Sequence, residues 1–313
     1  MTITVVKPGL QSTLQSRPRV GLRHLGVPAS GAADPLSLAL ANRLLGNEWD
    51  APALEATLLG PSLRFDADCA FALTGATAKC TLKNTLVAQH ETSWARAGDE
   101  LVIGSAEAGA RVYLAVAGGF EADEVLGSPS TNLQAVFGGL HGRALQAGDT
   151  LRPLASEADA VQTPIEYRLG MTASWGLRAC EAAETGLLDE ASREALFDTN
   201  WLIDRRADRM GLRLDGPALA TTSEGRMPSA GVIPGTIQCP EDGVPYLLSV
   251  DAGTVGGYPR IAQVARLDRH VLGQLRPGDH VRLLRREPDE ALAELRGKVD
   301  YWGEWLPQID EII

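Results

Sequence analysis

A carboxylate and a hydroxyl that could act together on a small substrate stand two positions apart in this sequence. Glu55 and Thr57 belong to the segment LEATLLGP, which predicts a strand ended by Pro61. Residues two apart in a strand share one face, so both side chains are expected to point the same way. A carboxylate in that position could orient a substrate N–H group or move a proton. A solvated strand face is the plainer alternative.

Arginines crowd into one turn of the second half of the chain, at Arg205, Arg206 and Arg209. Guanidinium groups present several N–H donors in a planar fork, which suits carboxylate or phosphate groups. The turn therefore predicts an anion-binding site. The alternative is a set of surface ion pairs with Asp204 and Asp208.

Glycines concentrate in the segment DAGTVGGYP, which runs from Asp251 to Pro259. Glycine in a loop between strands indicates that the backbone approaches another group closely. That group is either a ligand or a neighbouring strand. Polar residues are interleaved with these glycines, so we expect a ligand.

The stretch from Gly26 to Gly46 predicts a loop of small residues followed by a short helix. Asp34 is a suitable N-cap, Pro35 suits the first helical position, and Gly46 is suited to end the helix. Backbone N–H groups of the loop are expected to lie open beside the helix N-terminus. That arrangement favours a negatively charged ligand.

Composition limits the classes of function. The net charge of −11 argues against nucleic acid or an anionic membrane as a partner. No segment approaches the roughly 20 apolar residues that span a bilayer, and MTITVVKPG is not a signal-peptide pattern. We expect a cytoplasmic protein. The four cysteines contain no CxxC pair, which predicts free thiols and no metal site.

The segments that must position these residues are mostly short predicted strands, separated by Gly, Pro, Asp or Asn. Such spacing predicts a sandwich or closed barrel rather than alternating strands and helices. The acidic, proline-containing stretch 153–164 predicts a domain boundary near residue 160. The result is an N-terminal domain over 1–160 and a C-terminal domain over 161–313 with a helical tail. Tyr167 to Met171 is expected to be the first strand of the second domain.

A Gly-Asp pair that leads into a strand occurs three times, ending in Asp99, Asp149 and Asp279. Glycine allows a positive φ, and aspartate can accept a hydrogen bond from its own backbone. We expect these aspartates to be structural rather than catalytic.

An ordered series of motifs covers almost the whole chain: VKPGL from Val6, GVPASGAAD from Gly26, LEATLLGP from Leu54, DRMGLRL from Asp208, SEG from Ser223, GTIQ from Gly235 and DAGTVGGYP from Asp251. In this series the sequence resembles the KipA, or allophanate hydrolase subunit 2, family of biotin-dependent carboxyltransferase-like proteins. That family includes the C subunit of the bacterial ATP-dependent 5-oxoprolinase.

The resemblance implies a mainly β fold of two tandem cyclophilin-like β-barrel domains with a few short helices. It also implies two partners, a KipI-like protein as the B subunit of the enzyme, with a LamB/YcsF-like protein as its A subunit. With them, such a chain would use ATP, accompanied by Mg²⁺, to convert 5-oxo-L-proline to L-glutamate. Homologous domains of urea carboxylase instead transfer a carboxyl group from carboxybiotin to urea. A non-catalytic regulator that binds a KipI-like protein is the third alternative.

One segment departs from the pattern of the family, which usually reads Thr-Thr-hydrophobic-Gln-Asp-x-Gly-Arg near its start. Here the corresponding residues read STLQSRPR, so that Ser16 replaces the aspartate and Pro18 replaces the glycine. Gln15 and Arg19 remain. Because proline cannot adopt a positive φ, we expect the loop to run differently here.

We therefore expect one subunit of a 5-oxoprolinase-type hydrolase that acts on a small cyclic amide together with its partners. The segments above are predicted to converge on one cleft, without a metal ligand. The predicted catalytic residues are Glu55, Arg209, Glu224 and Asp251. The predicted substrate-binding residues are Ser30, Gly31, Asp34, Thr57, Arg206, Gln238, Thr254, Gly256, Gly257 and Tyr258.

Overall fold

The structure, a computed structural model, describes residues 1–222 and 227–313. It divides into two compact units. The first comprises Met1–Arg19, Ser30–Met171 and Trp302–Ile312, and the second comprises Val20–Ala29, Thr172–Tyr301 and Ile313. Each unit thus combines segments that are separated in the sequence. These units are defined by contacts within the structure. The domain ranges 1–160 and 161–313 remain a prediction from the sequence.

An antiparallel sheet of nine strands forms the first unit. Six strands follow the order β2-β3-β8-β4-β1-β9, and β5 pairs with β8, β6 and β7. The strands are β1 (Ile3–Lys7), β2 (Gln11–Gln15), β3 (Ala53–Thr57), β4 (Ser62–Phe65), β5 (Cys69–Leu82), β6 (Thr85–Val87), β7 (Thr92–Ala95), β8 (Glu100–Val116) and β9 (Thr150–Leu151).

Strands β5 and β8, of 14 and 17 residues, are longer than the short strands that the sequence predicts. The register of this pair shifts at several points between Gly75 and Cys80, so the strands bend there without ending. Gly75 and Gly109 have φ values of 87° and 75°, which an L side chain rarely adopts. The glycines that resemble turn residues in the sequence therefore lie at irregular positions inside continuous strands.

Helix α1 (Pro35–Arg43) lies against this sheet. Its predicted start is confirmed, because Asp34 is the N-cap and its Oδ1 accepts a hydrogen bond from Ser37 N at 3.0 Å. All residues from Leu36 to Asn42 are buried. The helix is therefore enclosed by the unit and does not expose one polar face.

Seven strands of the second unit close into a barrel in the order β10-β17-β14-β15-β12-β11-β18, and β13 and β16 form a separate two-stranded ribbon. The strands are β10 (Ser174–Glu181), β11 (Asn200–Ile203), β12 (Gly211–Asp215), β13 (Ala230–Gly231), β14 (Thr236–Gln238), β15 (Tyr246–Leu248), β16 (Val255–Gly256), β17 (Arg260–Val264) and β18 (His280–Arg285). The mainly β fold class is confirmed, with this closed barrel and a half-barrel in the first unit.

The remaining helices are α2 (Glu190–Asp198), α3 (Pro288–Gly303) and α4 (Ile309–Ile312), together with the 3-10 helices Arg23–Leu25, Ile165–Tyr167, Thr185–Leu187 and Arg266–Gly273. Within residues 1–222 and 227–313, no helix has the length and apolar character needed to cross a membrane. The strand predicted at 167–171 is wrong. Tyr167 instead ends a 3-10 helix and packs on Trp302 and Trp305, with ring centres 5.5 and 6.1 Å away.

The three Gly-Asp turns share one geometry, which confirms their structural role. Each aspartate accepts a hydrogen bond from the backbone N–H three residues earlier, at 2.7–3.3 Å, as in Asp149 with Gln146. Each glycine has a φ near 90°. Each turn also exchanges two backbone hydrogen bonds with one residue of a neighbouring strand, namely Phe65, Val5 or Ile203. The same type of turn therefore connects the end of one strand to a neighbouring strand in both units.

Removal of the Asp149 carboxylate should destabilise the first unit measurably. Arg143 donates to this carboxylate through both terminal nitrogens at 2.7 and 2.8 Å, which lowers the pKa of Asp149. We expect Asp149→Ala to lower the free energy of unfolding by about 1–3 kcal/mol at pH 7, measured by urea denaturation.

The pH dependence follows from the direction of the shift. A carboxyl whose pKa is lowered by folding stabilises the protein above its ordinary pKa of about 3.9 and loses that contribution as the pH falls through the folded value. The difference between Asp149→Ala and the wild type should therefore shrink below about pH 4. Asp300→Ala, at an exposed position of α3, is the matched control and should change stability little. An equal loss in both variants would contradict the structural role.

Candidate functional site

Glu55 lies in a fully enclosed polar cluster of the first unit, with only 1% of its surface exposed. Its Oε2 accepts hydrogen bonds from Ala33 N at 2.9 Å and from the Tyr113 hydroxyl at 2.7 Å. Its Oε1 lies 3.4 Å from Nε of Arg111. The carboxylate, which lies on β3, therefore contacts strand β8 and one loop. The alternative of a solvated strand face is wrong for Glu55.

The three N–H groups that directly precede α1 are not open to a ligand, contrary to the expectation from the sequence. Ala32 N donates to the Ser16 carbonyl at 3.0 Å, Ala33 N donates to Glu55, and Asp34 N donates to the Tyr113 hydroxyl at 2.8 Å. The anion favoured at this helix N-terminus is thus a carboxylate of the protein itself. That expectation is corrected, because a long-range side chain satisfies the donors that the local sequence leaves free.

Tyr113 joins the carboxylate of Glu55 to the backbone of Asp34. Its hydroxyl donates to Glu55 and accepts from the backbone of Asp34. Burial raises the pKa of Tyr113 well above its ordinary value, and the negative charges of Glu55 and Asp34 raise it further. The phenol therefore stays protonated and serves as a permanent donor.

Ser30 and Gly31 are constrained by the same part of the unit. Ser30 has a φ of 53°, and Asn132 Nδ2 donates to its hydroxyl at 2.9 Å. Gly31 has a φ of 91°, and a Cβ atom there would lie 3.0 Å from Cα of Pro18. A side chain at Gly31 is therefore excluded by both conformation and space.

Arg19 holds the segment that carries Asn132. It is 1% exposed, and its guanidinium donates to the carbonyls of Val125, Ser128 and Ser130 at 2.6–3.0 Å. The guanidinium carbon also lies 4.5 Å from the centre of the Phe137 ring. The positions of Arg19 and Asn132 make them supports of the Ser30 loop.

In the second unit, Arg209 and Asp251 form a buried ion pair. Arg209 Nε donates to Asp251 Oδ2 at 2.7 Å, and Nη2 lies 3.3 Å from Oδ1. Asp208 instead accepts from the backbone N–H groups of Met210 and Gly211. The alternative of surface pairing with Asp208 is therefore wrong for Arg209.

Arg206 differs from Arg209 in its exposure. Its side chain is 73% exposed, and its Nε donates to Asp204 at 2.8 Å. The surface pair suggested by the sequence is thus present at Arg206. The hydrogen bond from the Arg206 side chain, together with a second one from the Arg206 backbone N–H, lowers the pKa of Asp204 to about 2.

The glycines near residue 256 allow close approach to another strand. A Cβ on Gly256 would lie 2.4 Å from Nε2 of Gln238, and that amide donates to the Tyr258 carbonyl at 3.2 Å. The Thr254 carbonyl accepts from Val232 N at 3.1 Å. At Gly256, therefore, the close neighbour is the protein's own β14 strand.

Arg23, which the sequence does not single out, binds this glycine-rich segment. Its Nη2 donates to the carbonyls of Gly253, at 3.1 Å, and Val232. Burial lowers the pKa of Arg23. In residues 1–222 and 227–313, the N–H groups of Gly253 and Gly257 donate no hydrogen bond, whereas both carbonyls accept one. The internal contacts of this segment thus leave the N–H groups of Gly253 and Gly257 unused among the described residues.

The sequence analysis also does not identify Arg111 and Tyr113 as site residues, although their spacing gives some indication of it. They lie two positions apart on β8, directly opposite Thr57 and Glu55 in the register of the pair. The spacing of two matches that of Glu55 and Thr57, but the pairing itself depends on the fold. Glu224 lies outside the described residues.

The structure places the other predicted residues in two sets. Ser30, Gly31, Asp34, Glu55 and Thr57 belong to the first unit, and Arg206, Arg209, Gln238, Asp251, Thr254, Gly256, Gly257 and Tyr258 belong to the second. Convergence of the segments on one cleft stays a prediction. No group of three or more His, Cys, Asp or Glu side chains in the described part of the chain could hold a metal ion. The pKa values of Cys69, Cys80 and Cys239 are raised to about 11 by burial, so these thiols stay protonated.

Comparison with known proteins identifies a family. Residues 25–285 match the family described as carboxyltransferase domain, subdomain A and B. The chain is 36% identical to the C subunit of 5-oxoprolinase from Escherichia coli strain K12, over 96% of each chain. It is 32% identical to urea amidolyase of Saccharomyces cerevisiae, over 90% of this chain and 16% of that protein. The crystal structure of the K. lactis urea amidolyase is similar with a TM-score of 0.87 and 30% identity, over 95% of this chain and 20% of that one.

Loss of either partner of the Arg209–Asp251 pair should destabilise the protein, because the remaining buried charge loses this direct ion pair. We expect Arg209→Met and Asp251→Asn each to lower the free energy of unfolding by about 3–5 kcal/mol, measured by chemical denaturation. The double variant should lose less than the sum of the two. Arg206→Met and Asp204→Asn form the exposed control pair, for which we expect much smaller changes. Strict additivity at Arg209 and Asp251 would contradict the direct pairing.

The hydroxyl of Tyr113 provides a second test. Tyr113→Phe removes one donor to Glu55 and leaves Asp34 N without its acceptor. We expect a loss of about 1–3 kcal/mol in the free energy of unfolding. Tyr246→Phe is the control, since the Tyr246 hydroxyl has no hydrogen bond within residues 1–222 and 227–313. If both variants behave alike, the Tyr113 hydroxyl does not stabilise the protein by linking Glu55 to the Asp34 backbone.

Proposed function

Because the chain belongs to the carboxyltransferase domain family, we propose that it is one subunit of an ATP-dependent complex that opens 5-oxo-L-proline to L-glutamate. The proposal depends on one observation above all. The similarity to the C subunit of E. coli 5-oxoprolinase covers 96% of both chains at 36% identity. Such a match leaves little of that relative without a counterpart here.

The proposed partners are a KipI-like protein and a LamB/YcsF-like protein, in the places of the B and A subunits. The relatives in E. coli and Haemophilus influenzae are both named as the C subunit of 5-oxoprolinase, so each is one part of a larger assembly. We expect this chain to contribute binding and positioning groups to such an assembly. Hydrolase activity is then a property of the complex.

Activation of a lactam requires donors or positive charge directed at the amide oxygen, where negative charge develops. In the second unit, Arg209 is buried and oriented by Asp251. We assign Asp251 a positioning role, because the carboxylate is occupied by this guanidinium. The N–H groups of Gly253 and Gly257 are the backbone donors that could serve the substrate.

In the first unit, the enclosed position of Glu55 argues for positioning rather than proton transfer. Its two oxygens hold the Ala33 backbone, Tyr113 and Arg111. The carboxylate thereby sets the conformation of the Ser30–Asp34 loop. We propose that this loop, with Thr57 beside it, contacts the substrate through atoms other than the N–H groups already used.

ATP would be a co-substrate of the complex and would supply the phosphoryl group that activates the lactam oxygen. The second unit has groups that suit a phosphate: the exposed guanidinium of Arg206 and the free N–H groups of Gly253 and Gly257 in the described part of the chain. Mg²⁺ would arrive with the phosphates, since few of its ligands need come from the protein.

A carboxyltransferase is the second candidate, and a specific observation favours it. The fold matches the K. lactis urea amidolyase with a TM-score of 0.87, although the chain spans only a fifth of that protein. In this alternative, carboxybiotin would come from a separate carrier, because the sequence has no Met-Lys-Met segment for biotin attachment. The substrate would then be urea or a similar amide.

The direct test combines the chain with its proposed partners. We expect ATP hydrolysis that depends on 5-oxoproline, with L-glutamate as product. Arg206→Ala should lower kcat/KM by about tenfold to a hundredfold, because it removes the guanidinium that we propose binds the phosphate. Arg206 is exposed, so its replacement should leave the fold intact. Arg282→Ala, also exposed and paired with an aspartate, is the control and should retain activity.

The outcomes separate the two candidates. Absence of stimulation by 5-oxoproline, beside an active E. coli complex, would exclude this substrate. Transfer from carboxybiotin to urea in the same preparation would establish the carboxyltransferase alternative.

A further inference from the structure

A cavity of about 610 Å³ opens in the first unit, away from the Glu55 cluster. Three segments line it: the end of α1, the stretch 157–161 and Trp305 near the C-terminus. The charged residues at its wall are Arg43, Glu157 and Asp159. None of them has a role in the function proposed above.

The charges of this cavity are of both signs and are not neutralised by one another. Arg43 lies on one wall, and Glu157 and Asp159 lie on another. Within residues 1–222 and 227–313, none of the three forms an ion pair. Glu48 and Arg43 also both line a smaller cavity of about 200 Å³.

Two of the walls are held at a set separation by Thr92. Its hydroxyl donates to the Leu44 carbonyl, just after α1, at 2.7 Å and accepts from Val161 N at 3.1 Å. The other end of the acidic stretch is held by Ala70 N, which donates to the Ser156 carbonyl at 2.8 Å. The stretch 157–161, which carries Glu157 and Asp159, is therefore held by hydrogen bonds at both ends. A site so constructed is formed before any ligand arrives.

Trp305 forms the third wall and is fixed as well. Its ring stacks on Tyr167 with 6.1 Å between centres, and the guanidinium carbon of Arg43 lies 5.2 Å from the centre of the indole. The indole Nε1 is a buried donor with no acceptor among the described residues.

We propose that this cavity binds the zwitterion of a free α-amino acid. The carboxylate would contact Arg43, and the ammonium would contact Glu157 and Asp159. A simple anion would meet two carboxylates, and a simple amine would meet Arg43, so each half of the ligand alone is disfavoured. The end of a polypeptide is also a poor match, since it carries only one of the two charges. The inference is independent of the 5-oxoprolinase assignment.

The test is a titration of the isolated, full chain followed by the indole N–H resonance of Trp305, assigned with Trp305→Phe. The probes are L-alanine, propionate and ethylamine, in the absence of ATP and partner proteins. We expect L-alanine to shift the resonance with a Kd at least tenfold lower than either of the other two. Arg43→Gln and Asp159→Asn should each weaken L-alanine at least tenfold. Arg152→Gln, another exposed arginine of this unit, should not.

Arg43→Gln, Asp159→Asn and Arg152→Gln replace exposed side chains, so their folds should persist, which thermal unfolding will verify. Equal affinity for L-alanine and propionate would overturn the zwitterion assignment. Unchanged affinity in Arg43→Gln, or no shift with any probe, would overturn the site. None of these outcomes bears on activity with 5-oxoproline.

Discussion

The carboxylate of Glu55 is the group on which the first unit depends. It is almost fully buried, and its stability there requires that both oxygens be satisfied. Ala33 and Tyr113 satisfy one oxygen, and Arg111 lies against the other. One side chain thereby connects β3, β8 and the loop that enters α1. The conformation of the loop follows from the charge balance of this cluster.

The second unit uses the same kind of device at Arg209 and Asp251. Both residues are almost fully buried, and each also contacts the other through the backbone, where Asp251 N donates to the Arg209 carbonyl at 2.8 Å. A buried pair costs desolvation, so its geometry must be good to be tolerated. Each unit thus holds a candidate loop with a paired, buried charge. The exposed donors, Arg206 and the free N–H groups, remain for a ligand.

Family membership and geometry support different parts of the functional proposal. The family and the match to the C subunit of 5-oxoprolinase favour one component of an amide-hydrolysing complex. The contacts favour two separate roles. The buried carboxylates position neighbouring protein groups, and the donors at the surface bind the substrate or its phosphate. The cavity beside Trp305 belongs to neither set. Its unpaired charges within the described residues suit a ligand that is itself a dipole.

The sequence by itself determined the features that depend on near neighbours. The Asp34 cap, the Pro35 start of α1 and the three Gly-Asp turns were predicted correctly, because their donors and acceptors lie within three residues. The mainly β class followed from turn residues between short apolar runs. Tertiary structure decided the rest. Glu55 meets Ala33 and Tyr113 across 22 and 58 residues, and Arg209 meets Asp251 across 42. Whether a carboxylate faces water or a buried arginine depends on such pairings. They cannot be predicted from local sequence, because the partners are far apart along the chain.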